Sequence, residues 1–139
     1  MEPFILFGRI RLYVLLRLDA ALSSLDAFYS HATLSLEHVL PQSPAANSQW
    51  LIDFPDRVER EQWVHRLGNL VVLTRRKNAQ AQNFDFADKK VKYFSHTSGG
   101  VAGLAITTQV LGEAVWTPAV LAARQVQAMD ILTKLWRLT

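Results

Sequence analysis

The sequence predicts a mostly helical α+β domain, and three observations carry that prediction. Two short runs, TLSLEHV at 33–39 and NLVVLT at 69–74, have the composition and length of strands. The segments before and after them space their apolar residues as helices do. Half of the 139 residues are hydrophobic and only 19% are charged, enough to build one core and to exclude disorder along the whole chain. Two strands are not stable alone, so the helices must cover them.

The elements follow in order. A helix is expected over about 9–24, where Ile10, Tyr13, Val14, Arg17, Leu18 and Ala21 keep the three-four spacing. TLSLEHV alternates apolar and polar residues and then meets Pro41, which ends a strand. The segment 41–55, PQSPAANSQWLIDFP, holds three prolines and reads as a loop anchored by Trp50, Leu51, Ile52 and Phe54. Asp56 is an N-cap for RVEREQWVHRL, with Glu59 three residues on as in a capping box, and Gly68 is the expected stop. NLVVLT is too short for a helix. RRKNAQAQ and then 85–94 read as helical, the latter with Phe86, Val91 and Phe94 as its apolar residues. Residues 98–103 form a glycine-rich break. Thr117 and Pro118 open a last helix that runs to about 136, with the N-cap and the first-turn proline in their preferred places. The organisation expected is a single domain over 1–139, with its core motif at 33–95 and flanking helices at about 9–24 and 118–137.

There is no cysteine, which excludes a disulfide scaffold, a thiolate zinc site and a cysteine nucleophile. No signal-like leader is read at the N-terminus, and no stretch reaches the roughly 20 apolar residues that cross a bilayer. The expectation is a cytoplasmic protein without a membrane partner. The net charge of +3 is unevenly spread. Between His65 and His96 seven bases face two acids, giving +5, while the remainder has eight bases and ten acids, giving −2. Attraction to a polyanion is therefore a property of that window, set against the plainer reading of a solvated helix face.

Glu37 and His38 end the first strand, Asn69 opens the second, and Asn78 follows in the basic segment. A histidine beside a carboxylate can serve as general base near neutral pH. A carboxylate and a carboxamide oxygen are hard donors suited to Mg²⁺ or Mn²⁺. With basic side chains nearby to hold phosphates, the set suggests metal-assisted phosphodiester hydrolysis. One geometric tension stands in the way. Neighbouring strand residues point to opposite faces, so Glu37 and His38 share a site only if the strand ends or kinks there.

EHVLPQ at 37–42, followed by HRLGNLVVLTRRKNAQAQNFDFADKKVKYF at 65–94, resembles the HNH signature, and in particular the C-terminal nuclease domain of the GmrSD family of modification-dependent restriction enzymes. WTPAVLAARQ at 116–125 and RLYVLLRLD at 11–19 extend the resemblance over nearly the whole chain. The resemblance implies a ββα-metal (His-Me finger) core, an antiparallel hairpin with a helix packed across it. It implies His38 as general base, Glu37 and Asn78 as ligands of one divalent metal, and Asn69 as the residue that holds the hairpin loop and orients His38. It further implies DNA as substrate and offers Asn83 as a candidate supporting residue, while the basic window supplies Arg75, Arg76, Lys77, Lys89 and Lys90 as candidate phosphate contacts.

Glu37 stands where many HNH enzymes carry aspartate. The sequence also holds no phosphate-binding glycine-rich loop, whereas similar proteins join this domain to a nucleotide-hydrolysing module; a separate subunit of that kind is a candidate partner. A second class stays open: a non-catalytic nucleic-acid-binding or assembly module. His31, His65 and His96 are read as capping, packing or loop residues, and the four tryptophans as core.

Overall fold

The computed structural model describes residues 8–23, 34–74, 78, 82–91 and 104–137. Helix α1 (Gly8–Ser23) leads to strand β1 (Leu34–His38), and β2 (Leu70–Thr74) runs antiparallel to it. The register pairs Leu34 with Thr74, Leu36 with Val72 and His38 with Leu70. Between the strands lie α2 (Gln49–Asp53), α3 (Arg57–Val64) and a 3₁₀ turn, Leu67–Asn69. Then come α4 (Phe86–Lys89), α5 (Ala105–Thr108), a second 3₁₀ turn (Gln109–Gly112) and the long α6 (Pro118–Leu135). The α+β class expected from the sequence is the one observed.

Local chemistry accounts for the ends of these elements. Asp56 caps α3 by accepting from the Val58 amide at 2.9 Å, and Thr117 caps α6 by accepting from Val120. The buried carboxylate of Asp19 on α1 accepts from the Ile106 amide at 2.8 Å and so fixes the start of α5. Leu70, Val71, Val72 and Leu73 are all fully buried, so β2 is covered on both faces.

The sheet's two outer edges are closed by side chains. Leu36 and Val72 sit opposite each other, and the Thr107 hydroxyl both accepts from the Val72 amide and donates to its carbonyl. That pairing shows the backbone groups of Val72 turned away from β1, as in a non-hydrogen-bonded antiparallel pair. On the opposite edge the Leu36 carbonyl accepts from Asn78. Edge pairing of this kind protects an otherwise open ladder.

Three expectations change. Gly68 does not stop a helix at its C-terminus, because α3 ends at Val64. It is instead a crossing point: a Cβ there would lie 2.6 Å from the Leu121 carbonyl oxygen and 2.8 Å from the Gln125 nitrogen. The approach is fastened by Gly68 donating to Gln125 Oε1 at 2.7 Å and by Arg124 donating to the Gly68 carbonyl at 3.0 Å. Second, the loop at 41–55 contains α2; Trp50 and Phe54 are buried as expected, but Ile52 is 70% exposed. Third, Val91 faces solvent; the helix expected over 85–94 is described as far as Val91, with α4 continued by a wider turn at 90–91. Phe94 and the glycine-rich break at 98–103 lie outside the described residues, as do His31 and His96. Of the tryptophans, Trp50 and Trp116 are core, Trp63 is half-buried and Trp136 is exposed.

Candidate active site

The site is built where β1 ends. In a regular strand successive residues face opposite ways. Here the carbonyls of His38 and Val39 both accept from one ammonium, Lys89 Nζ, at 2.9 and 3.0 Å. The pleat is therefore broken after His38, where β1 ends. Glu37, His38 and Asn78 line one open cleft of about 510 Å³, together with Pro41, Gln82 and Asn83.

Asn69 holds that break in place. Its side chain is fully buried and uses its whole hydrogen-bonding capacity. Oδ1 accepts from the Leu40 amide at 2.8 Å and from Trp116 Nε1 at 3.1 Å. Nδ2 donates to the carbonyls of Leu40 at 3.0 Å and Val64 at 2.8 Å. The Val39 amide adds a bond to the Asn69 carbonyl. The carboxamide thus extends the pairing to Leu40, two residues past β1, and Asn69 does so without lining the cleft.

Asn78 is oriented by its own amide. Nδ2 donates to Ser35 Oγ at 2.7 Å and to the Leu36 carbonyl at 2.6 Å. Because a carbonyl only accepts, the NH₂ group must face β1, and Oδ1 is left without a hydrogen bond to any described residue. Asn83 donates to the Ser43 carbonyl and closes the far rim of the cleft.

Glu37 is 6% exposed and its Oε2 lies 3.2 Å from Lys89 Nζ. Burial raises the carboxyl pKa and lowers that of the ammonium, each opposed by the other's charge. Lys89 is itself fully buried, with three acceptors around its ammonium. This corrects its expected role: an ammonium enclosed in the core has no surface to offer a DNA phosphate. Lys90 is half-buried, donates to the Glu113 carbonyl at 2.5 Å and rests over the Phe86 ring. Arg75, Arg76 and Lys77 lie outside the described residues.

His38 is held in its neutral form, its pKa lowered to about 3 by burial first and then by His65, Arg11 and Lys89. The residue that sequence reasoning passed over is His65, at the C-terminal end of α3. His38 Nε2 lies 3.2 Å from His65 Nδ1, with the two rings at 83° in an edge-on arrangement. Arg11 NH1 reaches the same Nδ1 at 3.5 Å. The HRLGN run placed His65 four residues before Asn69, which was the available hint.

The residues present fit a hard divalent ion that keeps several waters. They offer a carboxylate oxygen of Glu37 and the unspent carboxamide oxygen of Asn78 on the wall of one cleft. Among the described residues no cluster of three or more histidine, cysteine or acidic side chains could form a denser cage. No helix among them is long and apolar enough to cross a membrane.

The family model described as GmrSD restriction endonucleases, C-terminal domain, matches residues 6–131. No curated protein matches the chain.

Proposed function

The chain belongs to the family of GmrSD restriction endonuclease C-terminal domains, and from that premise we propose that it is an HNH-type endonuclease hydrolysing phosphodiester bonds in DNA with Mg²⁺ or Mn²⁺. The observation that carries this reading is the convergence of Glu37, His38 and Asn78 on one cleft beside the broken end of β1. Glu37 and Asn78 would hold the ion. When bound, it supplies charge stabilisation to the phosphate and to the leaving oxygen.

The protein's own residues do the rest. His38 accepts the proton of the attacking water, as an uncharged ring must be able to do. Its basicity is depressed chiefly by burial, and further by the charges of Arg11 and Lys89. A phosphate entering the cleft brings negative charge next to the ring and shifts its pKa back toward the working range. Asn69 and Lys89 keep the 37–40 backbone in the shape that points both functional side chains into the cleft. Half-buried Lys90, with Arg75, Arg76 and Lys77, remains a candidate phosphate contact from the basic window. Such contacts position DNA without reading its sequence, so selection of foreign or modified DNA in the cytoplasm needs a further determinant, for which a nucleotide-hydrolysing partner is the candidate.

Purified protein incubated with supercoiled plasmid should produce nicked or linear DNA when Mg²⁺ or Mn²⁺ is present, and none after EDTA is added. Salt-sensitive DNA binding with no metal-dependent cleavage would instead identify a non-catalytic binding module.

A further inference from the structure

Two histidines in contact raise a question that the assignment of a base does not answer: which ring nitrogen of His38 holds the lone pair. A neutral imidazole carries its hydrogen on only one nitrogen, and its partners decide which. Arg11 supplies the deciding constraint. Its guanidinium has only donors, so the nitrogen it faces, His65 Nδ1, must be an acceptor. His65 is then neutral, with its hydrogen on Nε2. The His65 Nδ1 lone pair also faces His38 Nε2 at 3.2 Å. Two lone pairs cannot bond each other, so His38 Nε2 must carry the hydrogen.

We infer that Arg11 and His65 act as a positioning pair that locks His38 in its Nε2–H tautomer and leaves the lone pair on Nδ1, the nitrogen that takes the proton from water. The inference deepens the nuclease reading and rests on it for its catalytic meaning. The tautomer itself is a property of the protein at rest. The reverse arrangement, with His65 Nδ1–H donating to His38, would aim that hydrogen at the Arg11 N–H. It would also put a hydrogen on His38 Nδ1, which has no hydrogen bond to any described residue to compensate. The edge-on ring geometry, with centroids 5.1 Å apart, suits a single N–H directed at a lone pair. Arg11 comes from α1, His65 from the end of α3 and His38 from the end of β1, so the lock depends on three elements being docked together.

The test is long-range ¹H–¹⁵N correlation on the intact protein with ¹⁵N-labelled histidine near pH 7, with His38 and His65 assigned through single variants. The expected spectrum shows protonated Nε2 and unprotonated Nδ1 for both rings. A His38 ring protonated on Nδ1 overturns the proposal whether or not the protein cleaves DNA. Arg11→Met should turn each ring into a mixture of tautomers, and Arg11→Lys, which restores a donor, should return the single form. Unchanged tautomers in Arg11→Met, with the fold intact by amide spectrum, would remove Arg11 from the lock. In the cleavage assay, His65→Phe should lower kcat about 10- to 100-fold with KM unchanged, the usual loss from a residue that orients another. Should that variant fail to fold, the parent spectrum alone decides the assignment.

Discussion

Lys89→Met is expected to lose about 3–5 kcal/mol of folding stability, a large share of the roughly 5–15 kcal/mol that holds a domain together. The substitution keeps the side chain's length and removes only its charge and donors. What remains is a Glu37 carboxylate with 7% of its side chain exposed and no counter-charge. The carbonyls of His38 and Val39 also lose their donor in a buried setting. Urea unfolding reads the loss as a lowered midpoint. Adding Glu37→Gln to Lys89→Met should recover part of the midpoint, because the stranded charge is then gone, but cleavage should not return. A Lys89→Met protein within about 0.5 kcal/mol of the parent, the range of an ordinary surface change, would mean that the ammonium does not hold the site together.

Asn69→Leu should be comparably severe although it alters no residue that lines the cleft. Four hydrogen bonds are removed at once. The Leu40 amide and carbonyl, the Val64 carbonyl and Trp116 Nε1 are then left in a water-free interior. Each unsatisfied buried group costs about 1–3 kcal/mol, so even partial relaxation leaves a loss near that of Lys89→Met. Thermal unfolding followed by circular dichroism measures it. Asn69→Asp separates volume from hydrogen bonding: it keeps both acceptor positions but loses the donors to Leu40 and Val64 and buries a charge. It should therefore also be destabilised. If Asn69→Asp matched the parent, the two donated bonds would carry no weight.

Much of this framework was legible in the chain. TLSLEHV and NLVVLT were strands because of their alternation and β-rich content, and β2's uninterrupted apolar run matched its burial on both faces. Asp56 and Thr117 announced two helix starts through chemistry that acts within three residues. Glu37, His38 and Asn78 were placed in one site by their order, and they line one cleft.

What sequence could not show depends on contacts between distant segments. Lys89 looked like any surface base because a charge map carries no depth; only the fold inserts it between Glu37 and the turn at 38–39. Its 52-residue separation from Glu37 leaves no periodic trace. His65 is similar, reaching His38 across 27 residues and Arg11 across 54. Gly68 was read by its usual role at helix ends, while its real constraint is the backbone of α6 lying against it. Short-range signals survived the translation from sequence to structure. Buried polar partnerships across elements did not.

The central claim is that the cleft at the end of β1 cuts DNA through His38. It is tested most directly by comparing the initial rates of plasmid cleavage of the parent and His38→Ala in saturating Mg²⁺, with circular dichroism showing both folded. The alanine variant should be slower by about 10²–10⁴-fold, the span removed with a positioned general base, while its DNA affinity stays unchanged. Equal cleavage rates would contradict the account and place the chemistry elsewhere in the chain.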